Sequence, residues 1–265
     1  SIGTQSLRAS ALEYRGRLHD PGGARAAVSA ARSVEGLRVS TDLIFGLPEQ
    51  APAGARAQAL ELAALGLEHV SAYQLTIEPG TRFGELAKRG RLPRADDGVV
   101  AAAFVEVDAA LTGAGFEHYE ISNYAKPGQR SRHNLGYWRG DDYLGLGCAA
   151  VGFVRDGGRG RREKNETEPG RYMHNAHDPG ALAAFAEDLD GEAMLRERIM
   201  LGLRIADGVD LARAREELGV EPWTPERARE VERLVARGRL ERAGDVLTIP
   251  RAAWLFADDT AARLF

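Results

Sequence analysis

Short apolar runs alternate with longer alanine- and leucine-rich segments along the first half of the chain. Four runs are typical of strands, at residues 1–5, 39–48, 68–81 and 115–122. Three segments between them have a helical pattern, at residues 24–34, 55–65 and 98–111. Strand–helix units that repeat every roughly 35 residues predict an α/β fold with a parallel sheet. The spacing does not distinguish an open sheet from part of a barrel.

Cap and turn residues mark the ends of these segments. Asp20 followed by Pro21 is typical of a helix N-cap with proline at the first helical position. Gly66 is placed to end the second helix. The sequence starts directly in a strand pattern, without an initiator methionine. We therefore expect a fragment whose first strand lies at a sheet edge.

The pattern changes after residue 122. Residues 123–177 are rich in glycine, arginine and asparagine. Their one apolar stretch, 142–154, predicts a further strand beside the sheet. Residues 157–165 predict an exposed hairpin tip. From residue 179 onward the pattern is helical again, near 191–204 and 225–237, and two short strands flank Ala243-Gly244. Helices followed by a small hairpin resemble a winged-helix unit. No basic recognition helix is visible, so we expect packing or partner docking there.

These changes of pattern predict three parts. They are the α/β part at residues 1–125, a glycine-rich extension at 126–180, and a helical and hairpin domain at 181–265.

Composition excludes several classes of protein. The net charge is −4 and the pI about 5.9, which gives no electrostatic case for nucleic acid or an anionic membrane as the main partner. No apolar run approaches the ~20 residues that a transmembrane helix needs. The single cysteine, Cys148, excludes an internal disulfide and indicates a reducing cytoplasm. With 265 residues and 44% hydrophobic content, the chain can bury one sizeable core and a small second unit.

The stretch "RHNLGYW", residues 132–138, places a histidine and an asparagine ahead of a tyrosine and a tryptophan. Glycines and basic residues surround it, so we expect a flexible loop. Two interpretations remain open at this point. The stretch is either a capped turn with an aromatic lid or a ligand site in which the imidazole coordinates a metal.

Polar residues near the carboxyl ends of the predicted strands are the first candidates for ligand contact, because ligands gather there in parallel α/β folds. Gln5 ends the first strand, Asp42 interrupts the apolar "STDLIFG", and Thr76 lies late in the third strand. A carboxylate in a buried strand needs a partner. Asp42 therefore either forms a salt bridge with an arginine such as Arg17 or accepts hydrogen bonds from a ligand.

Other features are weaker signals. "GLGCAAVG" lacks the G-x-G-x-x-G spacing of a dinucleotide site, and no helix is predicted after it. His174 and His177 have the spacing of a metal pair on a helix, but Asn175 and Pro179 argue against a long helix there. Cys148 is expected to be a buried packing residue.

Seven stretches occur in an order that resembles one family. They are "SIGTQSL", "GRLHD", "DLIFGLPEQ", "LTIEPGT", "YEISNYAKPG", "HNLGYW" and "DYLGLGCAA". The chain resembles, over nearly its whole length, the coproporphyrinogen III oxidase-like branch of the radical S-adenosylmethionine family. That resemblance implies a partial parallel (β/α) barrel, truncated here on its N-terminal side, and a small winged-helix-like C-terminal domain.

The resemblance also implies a [4Fe–4S] cluster held by three thiolates of a C-x-x-x-C-x-x-C loop. This chain has one cysteine and no such loop, so we expect that it does not assemble the cluster.

S-adenosylmethionine is the second cofactor that the resemblance implies. The matching positions are Gln5, Arg17, Asp42, Thr76 and Val151. For Asp42 this favours ligand binding. Arg17 is expected to neutralise the charge of Asp42 and also to bind the cofactor carboxylate with its planar guanidinium. Where relatives commonly read Gly-Ala-His-Gly this chain has "AAVG", so Val151 replaces a histidine.

The His-Asn-x-x-Tyr motif implies haem binding in the chaperones of this branch. Here His133 would ligate the haem iron, with Asn134 and Tyr137 beside it and Trp138 as a stacking face. The alternative is that Asn134 and Tyr137 mainly hold the loop in place.

The implied function is a cytoplasmic haem chaperone that delivers haem to apo-proteins such as respiratory enzymes. An oxygen-independent coproporphyrinogen III dehydrogenase and a non-catalytic docking protein are the alternatives.

Overall fold

A five-stranded sheet organises the first part of the chain. Its strands are β1 (Ile2–Gln5), β2 (Ser40–Phe45), β3 (His69–Gln74), β4 (Glu117–Glu120) and β5 (Asn123–Ala125). The order is β1-β2-β3-β5-β4, with β1, β2 and β3 parallel and β5 antiparallel to both of its neighbours. The four predicted strands are confirmed, and β1 lies at a sheet edge as expected.

The computed structural model describes residues 1–265 except the side chain of residue 179. The chain forms two compact units, Ser1–Ser131 and Arg132–Phe265, here called the first and second unit. The division into three parts stays a prediction.

Helices cover one face of the first sheet. The first unit contains α1 (Ala9–Tyr14), α2 (Pro21–Arg32), α3 (Pro52–Ala63), α4 (Arg82–Lys88) and α5 (Asp97–Gly113). Buried residues of α2, α3 and α5 form one core with those of β2 and β3, including Val28, Leu62, Val107, Leu43 and Val70. The three longer helices were predicted. Sequence reasoning missed α1 and α4, whose six and seven residues are too few to show a helical period.

Local chemistry explains where two of these helices begin. The Asp20 carboxylate accepts a hydrogen bond from Gly23 N, and Pro21 occupies the first turn of α2, as predicted. Asp96 caps α5 in the same way, through Gly98 N and Val99 N.

Sequence reasoning missed the fifth strand of this sheet, which begins where the pattern changes. Asn123–Ala125 returns as β5 between β3 and β4, where Tyr124 is buried opposite Val70. Three residues are too few to show an alternating pattern.

The second unit contains two three-stranded antiparallel sheets. The first is β6 (Val151–Asp156), β7 (Arg159–Asn165) and β8 (Ala183–Leu189), and the second is β9 (Val209–Asp210), β11 (Val246–Thr248) and β10 (Glu241–Ala243). Its helices are α6 (Arg132–Trp138), α7 (Pro169–Asn175), α8 (Pro179–Leu182), α9 (Gly191–Gly202), α10 (Leu211–Leu218), α11 (Pro225–Ala236) and α12 (Ala257–Ala262), with a 3₁₀ helix at Arg251–Phe256.

The C-terminal prediction is confirmed in its main elements. Helices α9 and α11 and the hairpin of β10 and β11 lie where the pattern placed them. The expected return to helix at residue 179 was wrong for Ala183–Leu189, which is strand β8. Sequence reasoning also missed α10 and β9; β9 adds a third strand to the hairpin.

Three expectations for residues 132–165 were wrong. The stretch 132–138 is helix α6, because buried Leu135 anchors one side of it and Gly140, at φ 65°, closes it. Residues 142–154 do not extend the first sheet; only the part from Val151 is a strand, and it belongs to a separate sheet. The hairpin turn is confined to residues 157–158, since β7 continues to Asn165.

Candidate functional site

The face of the first sheet opposite the helices carries a row of polar side chains. The cross-strand pairs are Asp42 with Ser71, Ser71 with Asn123, and Asn123 with Glu120. Paired residues point to the same side of a sheet, so the four share one face. Sequence reasoning found only Asp42. Alternation in β3, where buried Val70 and Ala72 separate His69, Ser71 and Tyr73, could have revealed this face.

Asp42 is half-buried in the middle of β2. Its Oδ1 accepts a hydrogen bond of 3.2 Å from Ser1 Oγ. Burial raises the pKa of the carboxyl, and the Ser1 hydrogen bond opposes this. No arginine pairs with Asp42 in the part of the chain that the structure describes. The expected ion pair with Arg17 is therefore not formed.

Arg17 instead contacts Gln5. Gln5 Oε1 accepts hydrogen bonds from Arg15 Nη1 at 2.6 Å and from Arg17 Nη2 at 3.1 Å. Neither arginine has a carboxylate partner among the described residues. Burial, and then the charge of Arg17, lower the pKa of Arg15. Two guanidinium groups on one amide oxygen leave positive charge for a ligand carboxylate. Sequence reasoning missed Arg15, although it stands two residues before Arg17.

Gln5 and Asp42 border the same space. A methyl group on the Cα of Gly3 would lie 3.2 Å from Gln5 Nε2 and 3.9 Å from Asp42 Oδ2. Gln5 itself has a φ of 62°, a left-handed conformation that is strained for this residue and is often found at functional sites. The structure thus brings together three of the predicted residues: Gln5, Arg17 and Asp42. Two cations beside a lone carboxylate complement a ligand that carries both charges.

Thr76 lies in a different part of the first unit. It follows β3 and lines a cleft of about 750 Å³ at the carboxyl ends of β2 and β3. Gly46, Gln74, Lys88 and Arg94 also line this cleft, whereas Gln5, Arg17 and Asp42 do not. A cleft of this size at this end of a parallel sheet fits a small-molecule ligand.

Helix α6 presents His133 and Tyr137 on one side, since residues four apart share a helix face. The two ring centroids are 4.8 Å apart at an interplanar angle of 81°. Both side chains are exposed, Tyr137 by 37%. Neither ring nitrogen of His133 has a hydrogen-bond partner among the described residues. An exposed imidazole next to an aromatic ring is chemically suited to ligate haem iron.

Asn134 and Trp138 point elsewhere around the helix. Asn134 is half-buried. The Trp138 ring lies 5.3 Å from the Arg204 guanidinium, which occupies one of its faces. Tyr137, and not Trp138, is therefore the ring that neighbours His133.

Three further candidates belong to the second unit. Val151 begins β6 and is 37% exposed. Cys148 was expected to be buried, but it is only half-buried. Its thiol donates a hydrogen bond of 3.2 Å to Thr167 O. Helix α7 ends at Asn175, so His174 and His177 do not share a helix face. Among the described residues, no group of three or more His, Cys, Asp or Glu side chains could hold a metal ion.

No helix within the described residues is both long and apolar enough to cross a bilayer.

Comparison with known proteins gives three kinds of match. The model of the HemN C-terminal domain matches residues 189–256. The chain is 35% identical over 258 residues to "Heme chaperone HemW" of Mycobacterium tuberculosis, covering 97% of this chain and 63% of that protein. It is 40% identical over 185 residues to "Heme chaperone HemW" of Escherichia coli, covering 67% of this chain and 48% of that protein.

A vertebrate protein is also similar. The mitochondrial "Radical S-adenosyl methionine domain-containing protein 1" of Danio rerio is 37% identical over 213 residues, which cover 79% of this chain and 48% of that protein. The chain thus spans between about half and two thirds of the length of these relatives.

Among solved structures, coproporphyrinogen III oxidase (HemN) from Escherichia coli, a radical SAM enzyme, superposes with a TM-score of 0.78 at 17% identity. The match covers 99% of this chain and 62% of that chain, and it confirms the predicted fold class. Together with the relatives and the C-terminal domain, it shows that this chain is of the HemW type and belongs to the coproporphyrinogen III oxidase-like branch of the radical S-adenosylmethionine family.

Proposed function

We propose that this chain is part of a cytoplasmic haem chaperone that binds haem and S-adenosylmethionine and passes haem to apo-proteins such as respiratory enzymes. The names of its relatives support the general class. The observation that carries the proposal is His133: an exposed imidazole, free of hydrogen bonds within the described residues and set edge-on against Tyr137.

Haem ligation requires an imidazole nitrogen that iron can reach and a surface on which the porphyrin can rest. The exposed His133 would supply the first. Tyr137 supplies an aromatic ring on the same side of α6. Asn134, half-buried one residue after His133, would hold the helix start in place and not contact the iron.

S-adenosylmethionine carries a carboxylate at one end and cationic ammonium and sulfonium groups. Arg15 and Arg17, which converge on Gln5, would hold the carboxylate, and Asp42 would face a cationic or hydroxyl group. Thr76, which lines the separate cleft at the carboxyl ends of β2 and β3, is proposed as a further contact of the cofactor. A contact of Val151 with S-adenosylmethionine stays a prediction.

The [4Fe–4S] cluster of the family does not fit the residues of this sequence. Three thiolates are needed and only Cys148 is present. No step of the proposed function is therefore assigned to a cluster in this chain.

The test is the absorbance spectrum of the haem-loaded chain. We expect His133→Ala to shift the Soret band, because an axial ligand is lost, and Tyr137→Phe to do less, because the ring remains. His174→Ala is the matched control, since His174 is also an exposed histidine of the second unit. Trp138→Ala, alone and with His133→Ala, shows whether stacking on the indole masks the loss.

An unchanged Soret maximum and haem affinity in both His133→Ala and the double variant would reject the proposed haem site. A coproporphyrinogen III dehydrogenase is the alternative, which the fold likeness to HemN and the match to the HemN C-terminal domain support. Turnover of coproporphyrinogen III by the complete protein would favour that alternative.

A further inference from the structure

A row of four aromatic rings connects His133 with the core of the second unit. Ring centroids are 4.8 Å apart for His133 and Tyr137, 4.7 Å for Tyr137 and Tyr143, and 6.3 Å for Tyr143 and Phe153. The first two contacts are T-shaped, at 81° and 82°. We call these four residues the aromatic row.

Exposure decreases along the aromatic row. His133 is exposed, Tyr137 is 37% exposed, Tyr143 is half-buried and Phe153 is 6% exposed. The outermost ring is therefore linked to the hydrophobic core through two intermediate rings. Edge-to-face contacts of this kind restrict ring rotation and favour one orientation.

The inner end of the aromatic row is fixed by the backbone. Tyr143 and Phe153 exchange two backbone hydrogen bonds of 2.8 Å, one in each direction. Gly160 leaves room for the Phe153 ring, because a methyl group there would lie 2.7 Å from Phe153 Cε2. The Arg162 guanidinium also lies 5.5 Å from the centroid of this ring. Phe153 and Tyr143 thus form a rigid base.

A surface histidine normally samples several rotamers, and a ligand must then select one of them at an entropic cost. We propose that Tyr143 is a positioning residue for the haem ligand: it holds Tyr137 edge-on to His133 and so sets the imidazole in a single orientation before haem binds. This inference rests on the proposed function. It adds Tyr143, which does not belong to the His-Asn-x-x-Tyr motif.

The first experiment needs no haem. The ring of Tyr137 shifts the proton resonances of the His133 imidazole, so these resonances report the orientation of the two rings. We expect Tyr143→Leu to move the His133 resonances toward those of a freely rotating histidine, and Tyr143→Phe to leave them in place. Phe83→Leu is the matched control, because it removes a ring contact of 5.0 Å with Tyr14 in the first unit.

The second experiment is a haem titration followed by absorbance. We expect Tyr143→Leu to weaken haem binding about 3- to 10-fold, which corresponds to the loss of one aromatic pair, and Tyr143→Phe to restore the affinity. Tyr143→Met also removes the ring but fills more of its space with a flexible apolar side chain, and it replaces Tyr143→Leu if circular dichroism shows that the latter does not fold.

The two proposals fail in different ways. If His133→Ala leaves the haem spectrum unchanged, the proposed function fails and the role of Tyr143 in haem binding fails with it. If His133→Ala changes the spectrum while Tyr143→Leu alters neither the His133 resonances nor the haem affinity, the proposed function stands and the positioning role of Tyr143 is overturned.

Discussion

His69 and Tyr119 form a buried hydrogen bond of 2.8 Å between His69 Nε2 and the tyrosine hydroxyl. Ser131 N donates to the same hydroxyl oxygen at 3.3 Å. The phenol proton is then directed to His69 Nε2, which makes the neutral imidazole the form that suits the fold. Burial, and then the positive charge of Arg38, lower the pKa of His69 to about 4.

This pair predicts how stability depends on pH. The unfolded imidazole has a pKa near 6.5, so the unfolded chain takes up a proton before the folded chain does as the pH falls. The free energy of unfolding should be highest above pH 6.5 and decrease between about pH 6.5 and 4, by up to roughly 3 kcal/mol. Urea unfolding at several pH values measures this, and His69→Gln should remove most of the slope. An equal slope in wild type and variant would contradict it.

Asp42 is expected to serve ligand binding at a cost in stability. Because burial raises the pKa of its carboxyl, ionisation at pH 7 disfavours the folded state. Asp42→Asn should therefore raise the melting temperature at pH 7, while Asp42→Ala weakens S-adenosylmethionine binding by roughly 1–3 kcal/mol. Calorimetry measures the affinity, with exposed Glu35→Gln as the control. Unchanged affinity with an intact fold would assign Asp42 a purely structural role.

Arg227 is a buried clamp in the second unit. Its side chain, 4% exposed, donates to Leu264 O, Pro222 O and the Glu192 carboxylate. Arg227→Met should lower the free energy of unfolding of this unit by roughly 2–4 kcal/mol, because two buried carbonyls lose their charged donor. Arg229→Met, two positions along α11, is the control, since the ion pair that Arg229 forms with Glu226 is exposed to solvent. Guanidinium unfolding curves that coincide for the two variants would show that the buried hydrogen bonds of Arg227 do not stabilise this unit.

Two glycines should respond in opposite directions to alanine. A methyl group on Gly145 would lie 2.7 Å from the Val151 carbonyl carbon and 2.8 Å from Gly152 N, so backbone must move. Gly145→Ala should destabilise by about 1–3 kcal/mol. Gly54, in α3, has nothing within 4 Å of such a methyl group. Gly54→Ala should stabilise by about 0.5–1 kcal/mol. Thermal melts compare the two, and a stabilising Gly145→Ala would refute the close contact.

Much of the first unit could be predicted from the sequence. Its strands and longer helices depend on periodicity and on local caps such as Asp20, and both are properties of neighbouring residues. Asp42 was recognisable as a ligand candidate because a carboxylate within an apolar strand is costly wherever that strand lies.

Other features required the tertiary structure. The stretch with His133 looked like a loop because glycine is a poor helix former and the stretch is too short to show a helical period, yet burial of Leu135 stabilises a helix there. The polar row of Asp42, Ser71, Asn123 and Glu120 depends on strand order, and the contact of Arg17 with Gln5 instead of Asp42 depends on how α1 meets β1. The sequence alone determined the longer helices, the first four strands of the first unit and the C-terminal hairpin, and it supplied candidates for ligand contact. Packing between distant segments decided the short elements, helix α6 and which side chains meet, because side-chain contacts across strands are set by register and burial and not by neighbours in the chain.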